Sequence, residues 1–577
     1  MKQLMLGNEA VARGLYEAGC AFVSSYPGTP STEITECAAK FPEIYAEWAP
    51  NEKVAMEAAF GASLAGKRSF CGMKHVGLNV AADPLFTIAY TGVNAGMVIA
   101  VADDAGMHSS QNEQDSRNYA KAAKLPMLEP SDSAEALAFA KSAYELSERF
   151  DTPVLLKMCT RVAHSQSAVE LSDRVQAPER PYEKTPEKYI MMPAFARKRH
   201  PVVEQRLAAL ADFAAQTPLN RWEHGTEKKL GIITSSTCYQ YVREVCGEEV
   251  SVLKLGMVWP LSAALLKAFA ASVERVVVVE ELDGFIEAFC KSIGLSVTGK
   301  ELFSNVGELS QNKVAAGLGK AVDRGVSLDE PLPPRPPVMC AGCPHRGLYY
   351  TLKKLKLTVI GDIGCYTLGA VAPLHAVDSV VCMGASVSGI HGFLKGGGDP
   401  SRTVAVIGDS TFMHSGMTGL VNIAYNDSKS TVIILDNSIT GMTGHQQNPT
   451  TGFNLKGDPA AKVDLEALCH ALGIGRVRVV DPYDLAQCEA VLREELAAPE
   501  ASVIISRRPC ALLKYVKHKP PLRVDPEQCV SCHACMKIGC PAISLRDNKA
   551  RIDKTQCTGC GVCRQLCKFG ALREGQA

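Results

Sequence analysis

The sequence predicts a multidomain α/β protein whose main domains contain parallel β-sheets and whose C-terminal end forms a small, cysteine-rich domain. Apolar, strand-like runs alternate with amphipathic helical segments along most of the chain, a pattern typical of parallel sheets covered by helices. The length of 577 residues corresponds to about four domains of ~150 residues each. Eight of the 22 cysteines lie between Cys529 and Cys567, which sets the C-terminal end apart from the rest.

Composition and charge narrow the classes of protein to consider. Lys plus Arg and Asp plus Glu each number 61, so neither nucleic acid nor an anionic membrane is expected as the main partner. No apolar run reaches the roughly 18 residues of a membrane-spanning helix, and the start MKQLMLGNEA lacks the apolar core of a signal peptide. We therefore expect a cytoplasmic protein whose scattered cysteines, such as Cys159 and Cys290, are small core residues rather than disulfide partners.

The first predicted domain covers residues 1–165. An amphipathic helix, GNEAVARGLYEAG, precedes a strand, CAFVSS, and a later strand, GMVIAVADD, ends in acidic residues. The first of these strands leads into the turn 26–30, and Ser31 can cap a following helix.

Two polar loops of this domain, residues 73–79 and 103–117, follow strand-like segments, a position where functional residues are common. We expect some of their side chains to contact an anionic substrate or cofactor, with a structural role as the alternative for each. The candidates are Lys74, His75, His108 and Arg117.

Residues 166–330 form the second predicted domain. Its first part, to about Lys228, is an irregular, charged connector with one helix over residues 203–214. Three strand-like runs follow, LGIITSS, SVLKLGMVWP and VERVVVVEE, which suffice for a small α/β domain ending near Gly325. We assign no catalytic residue to this domain. The proline-rich segment 331–337 then forms a stiff linker.

The third predicted domain, residues 331–515, contains two apolar runs that indicate buried parallel strands, 403–407 and 430–435. Asp409 follows the first run and Asn437 follows the second, so both are expected at the carboxyl edge of one sheet, where ligands bind in such folds. A carboxylate and an amide oxygen suit Mg²⁺, which also binds substrate phosphates. The alternative is an ordinary βαβ unit, with a helix near 416–424, in which both residues merely end strands.

Other residues of the third domain are candidates for the same site. Gly408 and Ser410 flank Asp409, and a serine hydroxyl can donate to a phosphate. Gly384 and Ser386 are small residues before a predicted helix, whose backbone amides can approach a diphosphate.

The fourth predicted domain, residues 516–577, contains two cysteine runs with the spacing of bacterial two-cluster ferredoxins. In that pattern the last cysteine of each run binds the other cluster. One [4Fe–4S] cluster is therefore expected on Cys529, Cys532, Cys535 and Cys567. The second is expected on Cys557, Cys560, Cys563 and Cys540, where one extra residue before Cys540 leaves its ligation less certain. Zinc is the alternative metal.

The motifs of the third domain resemble a known cofactor signature. Asp409 and Asn437 resemble the Gly-Asp-Gly and Asn signature of thiamine diphosphate enzymes, with Ser410 in place of the second glycine. The resemblance implies Mg²⁺ bound by Asp409, by the side-chain oxygen of Asn437 and by the backbone carbonyl of Ile439.

The first domain shows two further resemblances. The turn around Thr29 resembles the Tyr-Pro-Ile-Thr-Pro-Ser turn of the 2-oxoacid:ferredoxin oxidoreductases. Glu52, with Gly61 nine residues downstream, resembles the glutamate of thiamine enzymes that bonds N1′ of the aminopyrimidine ring, where a carboxyl group assists proton removal. Glu57 is the rival for this role at a different register.

The segment Cys340-Ala-Gly-Cys343-Pro-His-Arg resembles the corresponding segment of the indolepyruvate ferredoxin oxidoreductase family, and the order of all four domains is similar to its α subunit. The resemblance implies active-site positions for His345, Arg346 and Cys365. A third cluster on Cys340, Cys343 and Cys365 is the alternative, and the sequence shows no fourth ligand for it.

The resemblance to this family also implies a function. The expected reaction is oxidative decarboxylation of arylpyruvates, chiefly indolepyruvate, with CoA, giving aryl-acetyl-CoA and CO₂ and reducing ferredoxin. The expected cofactors are thiamine diphosphate, Mg²⁺ and two [4Fe–4S] clusters. A small β subunit similar to the γ domain of the superfamily is the expected partner, in a heterodimer or heterotetramer. Three alternatives remain: an oxidoreductase for another 2-oxoacid, a non-oxidative thiamine decarboxylase with a vestigial tail, and an electron-transfer subunit with an inactive thiamine domain.

Overall fold

The computed structural model describes residues 2–323, 325–326 and 328–575. The chain divides into two compact units between Asp329 and Glu330, directly before the proline-rich segment 331–337. The first unit contains a seven-stranded and a five-stranded sheet, and the second contains a five-stranded parallel sheet followed by small two-stranded sheets. This architecture confirms the predicted α/β class.

The seven-stranded sheet of the first unit is parallel except at one edge. In spatial order its strands are Met257–Trp259, Met127–Leu128, Val154–Cys159, Met97–Asp103, Ser69–Lys74, Phe22–Ser25 and Tyr45–Trp48. The central strands are buried on both faces, as near-continuous apolar runs predict.

Helices surround this sheet and begin at recognisable caps. Asn51 accepts a hydrogen bond from the amide of Val54, and Asp132 accepts one from Glu135, so each satisfies a free amide of a helix start. The helices up to residue 164 are Gly7–Glu17, Thr32–Ala38, Glu52–Leu64, His75–Val80, Ala82–Thr91, Arg117–Ala123, Ser133–Phe150 and Thr160–His164.

The second sheet of this unit has five strands. In spatial order they are Val297–Thr298, Arg275–Val279, Glu227–Ser235, Val250–Leu255 and Arg221–Glu223. The helices beyond residue 164 are Pro186–Tyr189, Pro193–Gln216, Ser236–Cys246, Ala263–Ala271, Phe285–Ser292 and Gln311–Gly317. The helix expected at 203–214 is therefore longer at both ends.

The structure differs from the predicted division of the first unit in two places. The run SVLKLGMVWP is not one strand: residues 250–255 belong to the five-stranded sheet, whereas 257–259 form the edge of the seven-stranded sheet. The intervening Gly256 fits because a Cβ there would lie 2.3 Å from the Leu219 carbonyl oxygen. Residues Gln166–Glu170, assigned to the connector, pair with Lys2–Leu6.

All five strands of the main sheet in the second unit are parallel. In spatial order they are Thr358–Ile360, Thr403–Gly408, Thr431–Asp436, Ser502–Arg507 and Arg476–Val480. Its α-helices are His345–Lys354, Ala385–Lys395, Asp409–Thr411, Met417–Tyr425, Leu465–Ala471 and Leu485–Ala497. A 3₁₀ helix covers Cys365–Ala370.

The helix after strand Thr403–Gly408 begins earlier than the predicted residue 416. It starts at Asp409 and passes through a π-helical turn, Phe412–Gly416, into Met417–Tyr425. Such π turns are frequent at functional sites. Asp409 therefore lies in the first turn of a helix, where the helix dipole favours negative charge and bound anions.

The C-terminal end of the second unit consists of two-stranded antiparallel sheets and short 3₁₀ helices. The strands pair Arg523–Val524 with Leu572–Arg573 and Ile543–Arg546 with Lys549–Ile552. The 3₁₀ helices are Ala534–Ile538 and Cys563–Leu566. Throughout the described part of the chain, no helix combines the length and apolar character needed to span a membrane.

Candidate active site and cysteine clusters

The carboxyl edge of the parallel sheet in the second unit brings Asp409 and Asn437 together. Strands 403–408 and 431–436 are neighbours in parallel register, with Gly408 opposite Leu435, so the residues that follow both strands lie at one edge. Both side chains are buried, at 2% exposure for Asp409 and 8% for Asn437. A buried carboxylate beside an amide oxygen is a suitable start for a magnesium site.

The electrostatics of Asp409 also fit a bound cation. Burial first, and then the nearby charge of Asp436, raise the pKa of its carboxyl group to about 7, although hydrogen bonds to the carboxylate oppose the shift. These bonds come from the backbone amide of Ser410, at 2.8 Å, and from the hydroxyl of Thr450, at 3.1 Å. A divalent cation would stabilise the ionised form, so the residues present fit Mg²⁺.

Asn437 lies in a tight turn that also contains Ile439. The side-chain oxygen of Asn437 accepts a hydrogen bond from the Ile439 amide at 3.2 Å, and the residue between them, Ser438, has a φ of 59°. The three expected magnesium ligands, Asp409, Asn437 and Ile439, therefore come from two adjacent chain segments at one sheet edge.

A polar loop that the motif search missed adds hydroxyl and amide groups to this edge. Thr440 donates to the hydroxyl of Ser410 at 2.9 Å, and the side-chain amide of Asn448 donates to Thr440 at 3.3 Å. Thr450, which contacts Asp409, also lies 2.7 Å from the Asn448 side-chain oxygen. The sequence signal was the Asn-Pro-Thr turn at 448–450, which by itself predicts only a loop.

The amides of Gly384 and Ser386 differ from expectation. Both donate to the buried carboxylate of Asp362, at 3.0 and 2.9 Å, so these two amide groups are already satisfied within the chain. Gly384 has a φ of 86°, and a Cβ there would lie 2.6 Å from Ser415, which explains the glycine. The expectation that these two amides bind a diphosphate is wrong, because Asp362 occupies them.

Four cysteines, rather than three, interact electrostatically beside this sheet edge. Burial, and then the neighbouring thiols of Cys510 and Cys340, raise the pKa of Cys365 to about 11. Burial raises the pKa of Cys343 to about 12, with Cys340 and Cys365 as further neighbours. The backbone amide of Cys510 donates to the carbonyl of Asn437 at 2.9 Å, so this fourth cysteine is bonded to the turn that contains Asn437 and Ile439.

His345 and Arg346 are both buried and contact residues of the chain itself, so an active-site position for either stays a prediction. His345 is buried against the ring of Tyr366, and burial lowers its pKa to about 4. Arg346 is 4% exposed, and its guanidinium donates to backbone carbonyls. These belong to Met339, Cys340, Ile538 and Gly539, at 3.1 Å for Cys340 and 3.2 Å for Ile538. Arg346 therefore links residues 339–340 to residues 538–539, which directly precede Cys540 of the C-terminal domain.

The eight C-terminal cysteines fall into two sets. One cavity is lined by Cys529, Cys532, Cys535 and Cys567. In the other set, the thiol of Cys563 has Cys560, Cys540 and Cys557 as electrostatic neighbours. No group of three or more Cys, His, Asp or Glu side chains in the described segments is close enough for a single metal ion. The thiolates of a [4Fe–4S] cluster bind different iron atoms and stand further apart, so both sets fit clusters better than zinc.

In the first unit, Glu52 and Glu57 have contrasting surroundings. Glu52 is the first residue of helix 52–64 and is 5% exposed, whereas Glu57 is exposed and pairs with Lys53. Glu52 packs against Gly77, where a Cβ would lie 2.6 Å from its carboxylate oxygen. A Cβ at Gly61 would meet no atom within 4 Å. The dry environment that the expected chemistry requires is therefore found at Glu52.

Segments 26–31, 73–79 and 103–117 come together near Glu52, as their positions after neighbouring strands predict. The expectation that 73–79 is a loop is wrong, because strand Ser69–Lys74 leads directly into helix His75–Val80. The ammonium group of Lys74 donates to the Ser109 carbonyl at 3.0 Å, and the Ser109 hydroxyl donates to the Thr29 carbonyl at 3.3 Å. Burial lowers the pKa of Lys74, although Asp104 and Glu52 act in the opposite direction.

His75 contacts the Asn112 carbonyl through one ring nitrogen, at 3.2 Å, and its other ring nitrogen is buried without a hydrogen bond to any described residue. The remaining candidates have structural contacts. Arg117 is 1% exposed and pairs with Asp115 and Glu280, and His108 pairs with Glu308.

Comparison with known proteins gives three family matches. The model described as "Pyruvate flavodoxin/ferredoxin oxidoreductase, thiamine diP-bdg" matches residues 13–225. "Thiamine pyrophosphate enzyme, C-terminal TPP binding domain" matches 362–506, and "4Fe-4S binding domain" matches 550–573. The chain is therefore a thiamine-diphosphate-dependent iron–sulfur oxidoreductase with [4Fe–4S] clusters.

Full-length relatives give a narrower assignment. "Indolepyruvate oxidoreductase subunit IorA" of Pyrococcus horikoshii is 38% identical, over 100% of this chain and 98% of that protein. The protein of the same name from Methanothermobacter thermautotrophicus is 40% identical, over 99% and 97%. A solved 2-oxoglutarate:ferredoxin oxidoreductase from Magnetococcus marinus has 19% identity and a TM-score of 0.47, covering 55% of this chain and 65% of that one, too weak to support a conclusion. Identity of 38–40% over the full length shows that this chain belongs to the indolepyruvate oxidoreductase subunit IorA family.

Proposed function

We propose that this chain is the catalytic subunit for oxidative decarboxylation of arylpyruvates, with indolepyruvate as substrate, CoA as acyl acceptor and ferredoxin as electron acceptor. The names of the full-length relatives supply the substrate. Thiamine diphosphate, when bound, supplies the carbanion chemistry that removes CO₂ from a 2-oxoacid.

One observation supports the oxidative reaction above the alternatives. The turn that contains Asn437 bonds to Cys510, and the thiol of Cys510 has Cys340 as an electrostatic neighbour. The carbonyl of Cys340 accepts a hydrogen bond from Arg346, whose guanidinium has the thiols of Cys540 and others nearby. Hydrogen bonds and electrostatic interactions thus connect the sheet edge at Asn437 with the C-terminal cysteines, which supports a route for electron removal.

In this proposal Asp409, Asn437 and the carbonyl of Ile439 hold Mg²⁺, and the helix that begins at Asp409 faces the diphosphate with its positive end. Gly408 is required because a Cβ there would lie 2.6 Å from the ring of Tyr366.

In the first unit, Glu52 would bond N1′ of the aminopyrimidine and hold the proton that activates the ring. Its burial against Gly77 excludes water from one side of the carboxylate. Thr29 and Lys74 lie in the same group of segments, and the half-buried, cationic Lys74 is suited to a substrate carboxylate.

The cysteine sets would hold the clusters. The first has the ligands Cys529, Cys532, Cys535 and Cys567, and the second has Cys540, Cys557, Cys560 and Cys563. We further propose that Cys340, Cys343, Cys365 and Cys510 bind a third, since the electrostatic contacts of Cys510 add the fourth ligand that the sequence lacked.

The word "subunit" in the relatives' names supports a partner chain, and we propose a small β subunit similar to the superfamily's γ domain, in a heterodimer or heterotetramer.

A cytoplasmic location is proposed as well, since the described cysteines form no disulfides.

The proposal is tested with the chain prepared anaerobically together with its β subunit. CoA-dependent viologen reduction is measured with indolepyruvate, phenylpyruvate, pyruvate and 2-oxoglutarate. We expect kcat/KM for the arylpyruvates to exceed that for pyruvate by more than about a hundredfold, since burying an aryl group instead of a methyl group gains at least a few kcal/mol. Comparable values for pyruvate would refute the substrate assignment, and aldehyde release without dye reduction would refute the oxidative reaction.

A further inference from the structure

The hairpin of the C-terminal domain, strands 543–546 and 549–552, has one apolar and one basic face. Ile543 and Ile552 are buried in the core that also contains cysteines of the cluster sets. Arg546 lies opposite Lys549 in the antiparallel register, and Arg551 lies opposite Ser544, so these four side chains share the other face.

This arrangement is unfavourable for the hairpin alone. Like charges directly opposite each other destabilise a strand pair, by an amount within the roughly 0.2–1 kcal/mol typical of such pairs. Among the residues that the structure describes, the one ion pair of Arg546 is with Asp547, at 3.9 Å with both groups highly exposed, which contributes little. The basic face is therefore maintained at a small cost in stability, which points to a role in binding.

The basic face forms one wall of a cavity of about 930 Å³. Five exposed cationic side chains and two carboxylates line it. These are Arg523, Arg546, Lys549, Arg551 and Lys554, together with Asp547 and Asp553. Asp553 accepts hydrogen bonds from the amide and hydroxyl of Thr555 in its own turn, so one oxygen of its carboxylate is already hydrogen-bonded there. The surface has an excess of positive charge in a chain whose overall charge is zero.

The basic cavity adjoins the first cysteine set. Val524 and Ala550 line both this cavity and the one formed by Cys529, Cys532, Cys535 and Cys567. That set is the one farther from the sheet edge, because the segment that contains Cys340 and Arg346 contacts the other set: Arg346 donates to the Gly539 carbonyl directly before Cys540, and Gly342 packs against Thr558 directly after Cys557. A protein bound in the basic cavity would therefore lie next to the last cluster of the series.

We infer that this surface is the docking site for an acidic one-electron carrier protein of the ferredoxin type. Positive and negative surfaces accelerate and orient such encounters, and electron-transfer interfaces are small and short-lived. Each encounter would transfer one electron from the enzyme to the oxidised carrier, so two encounters complete the oxidation of one 2-oxoacid. The inference rests on the proposed function, because it presumes that electrons leave through the first cysteine set.

A second basic cavity, of about 530 Å³, provides an internal control. It borders Cys560 of the other set and is lined by Lys517 and Lys519, and the exposed Lys514 lies three residues before Lys517. The control triple variant K514E/K517E/K519E changes the net charge as much as R546E/R551E/K554E does. The variant R546E/R551E/K554E retains Lys549, because its ammonium group donates to the Pro526 carbonyl. The substitution R546E also places a carboxylate opposite Lys549, which replaces a pair of like charges with a pair of opposite charges.

The test uses the complete two-subunit enzyme and an acidic ferredoxin that carries a single one-electron cluster. Binding is measured directly by biolayer interferometry at low and at high salt, and the ferredoxin-linked rate is divided by the viologen-linked rate. We expect R546E/R551E/K554E to lower both the affinity and this rate ratio by about tenfold or more at low salt, with the difference shrinking as salt rises. K514E/K517E/K519E should change both by less than about twofold.

Iron content and the reduced spectrum of each variant show whether its clusters are intact. A wild-type enzyme without CoA-dependent viologen reduction would refute the proposed function itself. With viologen reduction present, unchanged ferredoxin affinity in R546E/R551E/K554E would overturn the docking site. Loss of affinity in the control triple alone would also overturn it, and so would binding of a DNA duplex to this face in preference to ferredoxin.

Discussion

Replacing Asp409 with Asn should stabilise the cofactor-free protein while abolishing cofactor binding. Asp409 is buried and its carboxyl pKa is raised to about 7 from an ordinary value of 3.8, first by burial and then by Asp436. Asn has nearly the same shape as Asp and can keep the hydrogen bonding of this site. Its amide group can donate to the Thr450 hydroxyl, and that hydroxyl can donate instead to the Asn448 side-chain oxygen, 2.7 Å away.

The sign and size of the effect follow from the pKa shift. An acid whose folded pKa lies above its unfolded pKa retains its proton more strongly in the folded state, so stability falls as pH rises from about 4 to about 7. The cost is complete above pH 7 and absent below pH 4. A shift of about three pKa units corresponds to on the order of 4 kcal/mol, of which relaxation and water penetration leave about half.

Calorimetry of the cofactor-free and magnesium-free enzyme at pH 8 and at pH 5 measures this difference. A gain of about 2 kcal/mol corresponds to a rise in Tm of about 4–8 °C for the transition of the second unit at pH 8. The rise should largely disappear at pH 5, and addition of Mg²⁺ with thiamine diphosphate should raise the Tm of the wild type alone. An Asn variant with an unchanged or lower Tm at pH 8, or with the same gain at pH 5, would refute the reasoning.

Three further predictions concern other residues. E52Q should retain thiamine diphosphate but slow hydrogen–deuterium exchange at thiazolium C2, whereas E57Q should not; the reverse result would mean that the register is wrong. G77A should slow the same exchange, because its new Cβ would displace the Glu52 carboxylate. Exchange at the wild-type rate in G77A would show that packing against Gly77 does not position Glu52. C510S should lose about four iron atoms per chain, by iron analysis and electron paramagnetic resonance, while C488S, a core cysteine, should lose none; full iron in C510S would exclude the third cluster.

Much of the fold could be predicted from local pattern. Strands such as 97–103 and 403–408 are continuous apolar runs bounded by acidic or glycine residues, and these signals alone place Asp409 and Asn437 at the ends of neighbouring strands. The structure agrees because parallel strands end at a common edge. Glu52 was preferred to Glu57 from the sequence because Gly61 lies nine residues downstream, as in thiamine enzymes, and the structure adds that Glu52 is buried whereas Glu57 is exposed.

Other features depend on contacts between distant segments. Cys510 lies far along the chain from Cys340, and only the parallel pairing of strands 431–436 and 502–507 brings it beside Asn437. Arg346 was expected in the active site because its motif resembles a segment of the indolepyruvate ferredoxin oxidoreductase family. In the structure its guanidinium donates to backbone carbonyls of Cys340 and of Ile538 in the C-terminal domain. Sequence identifies such a residue but not the direction of its side chain.

The central claim is that decarboxylation by this chain is oxidative and that its electrons leave one at a time. The most direct measurement is the number of one-electron acceptor molecules reduced per CO₂ released, with indolepyruvate, CoA and ferredoxin supplied to the anaerobic two-subunit enzyme. Oxidation of one 2-oxoacid to its CoA thioester releases two electrons, so the account predicts a ratio of two ferredoxins per CO₂, dependent on CoA. A ratio near zero, with the aldehyde as product, would contradict it.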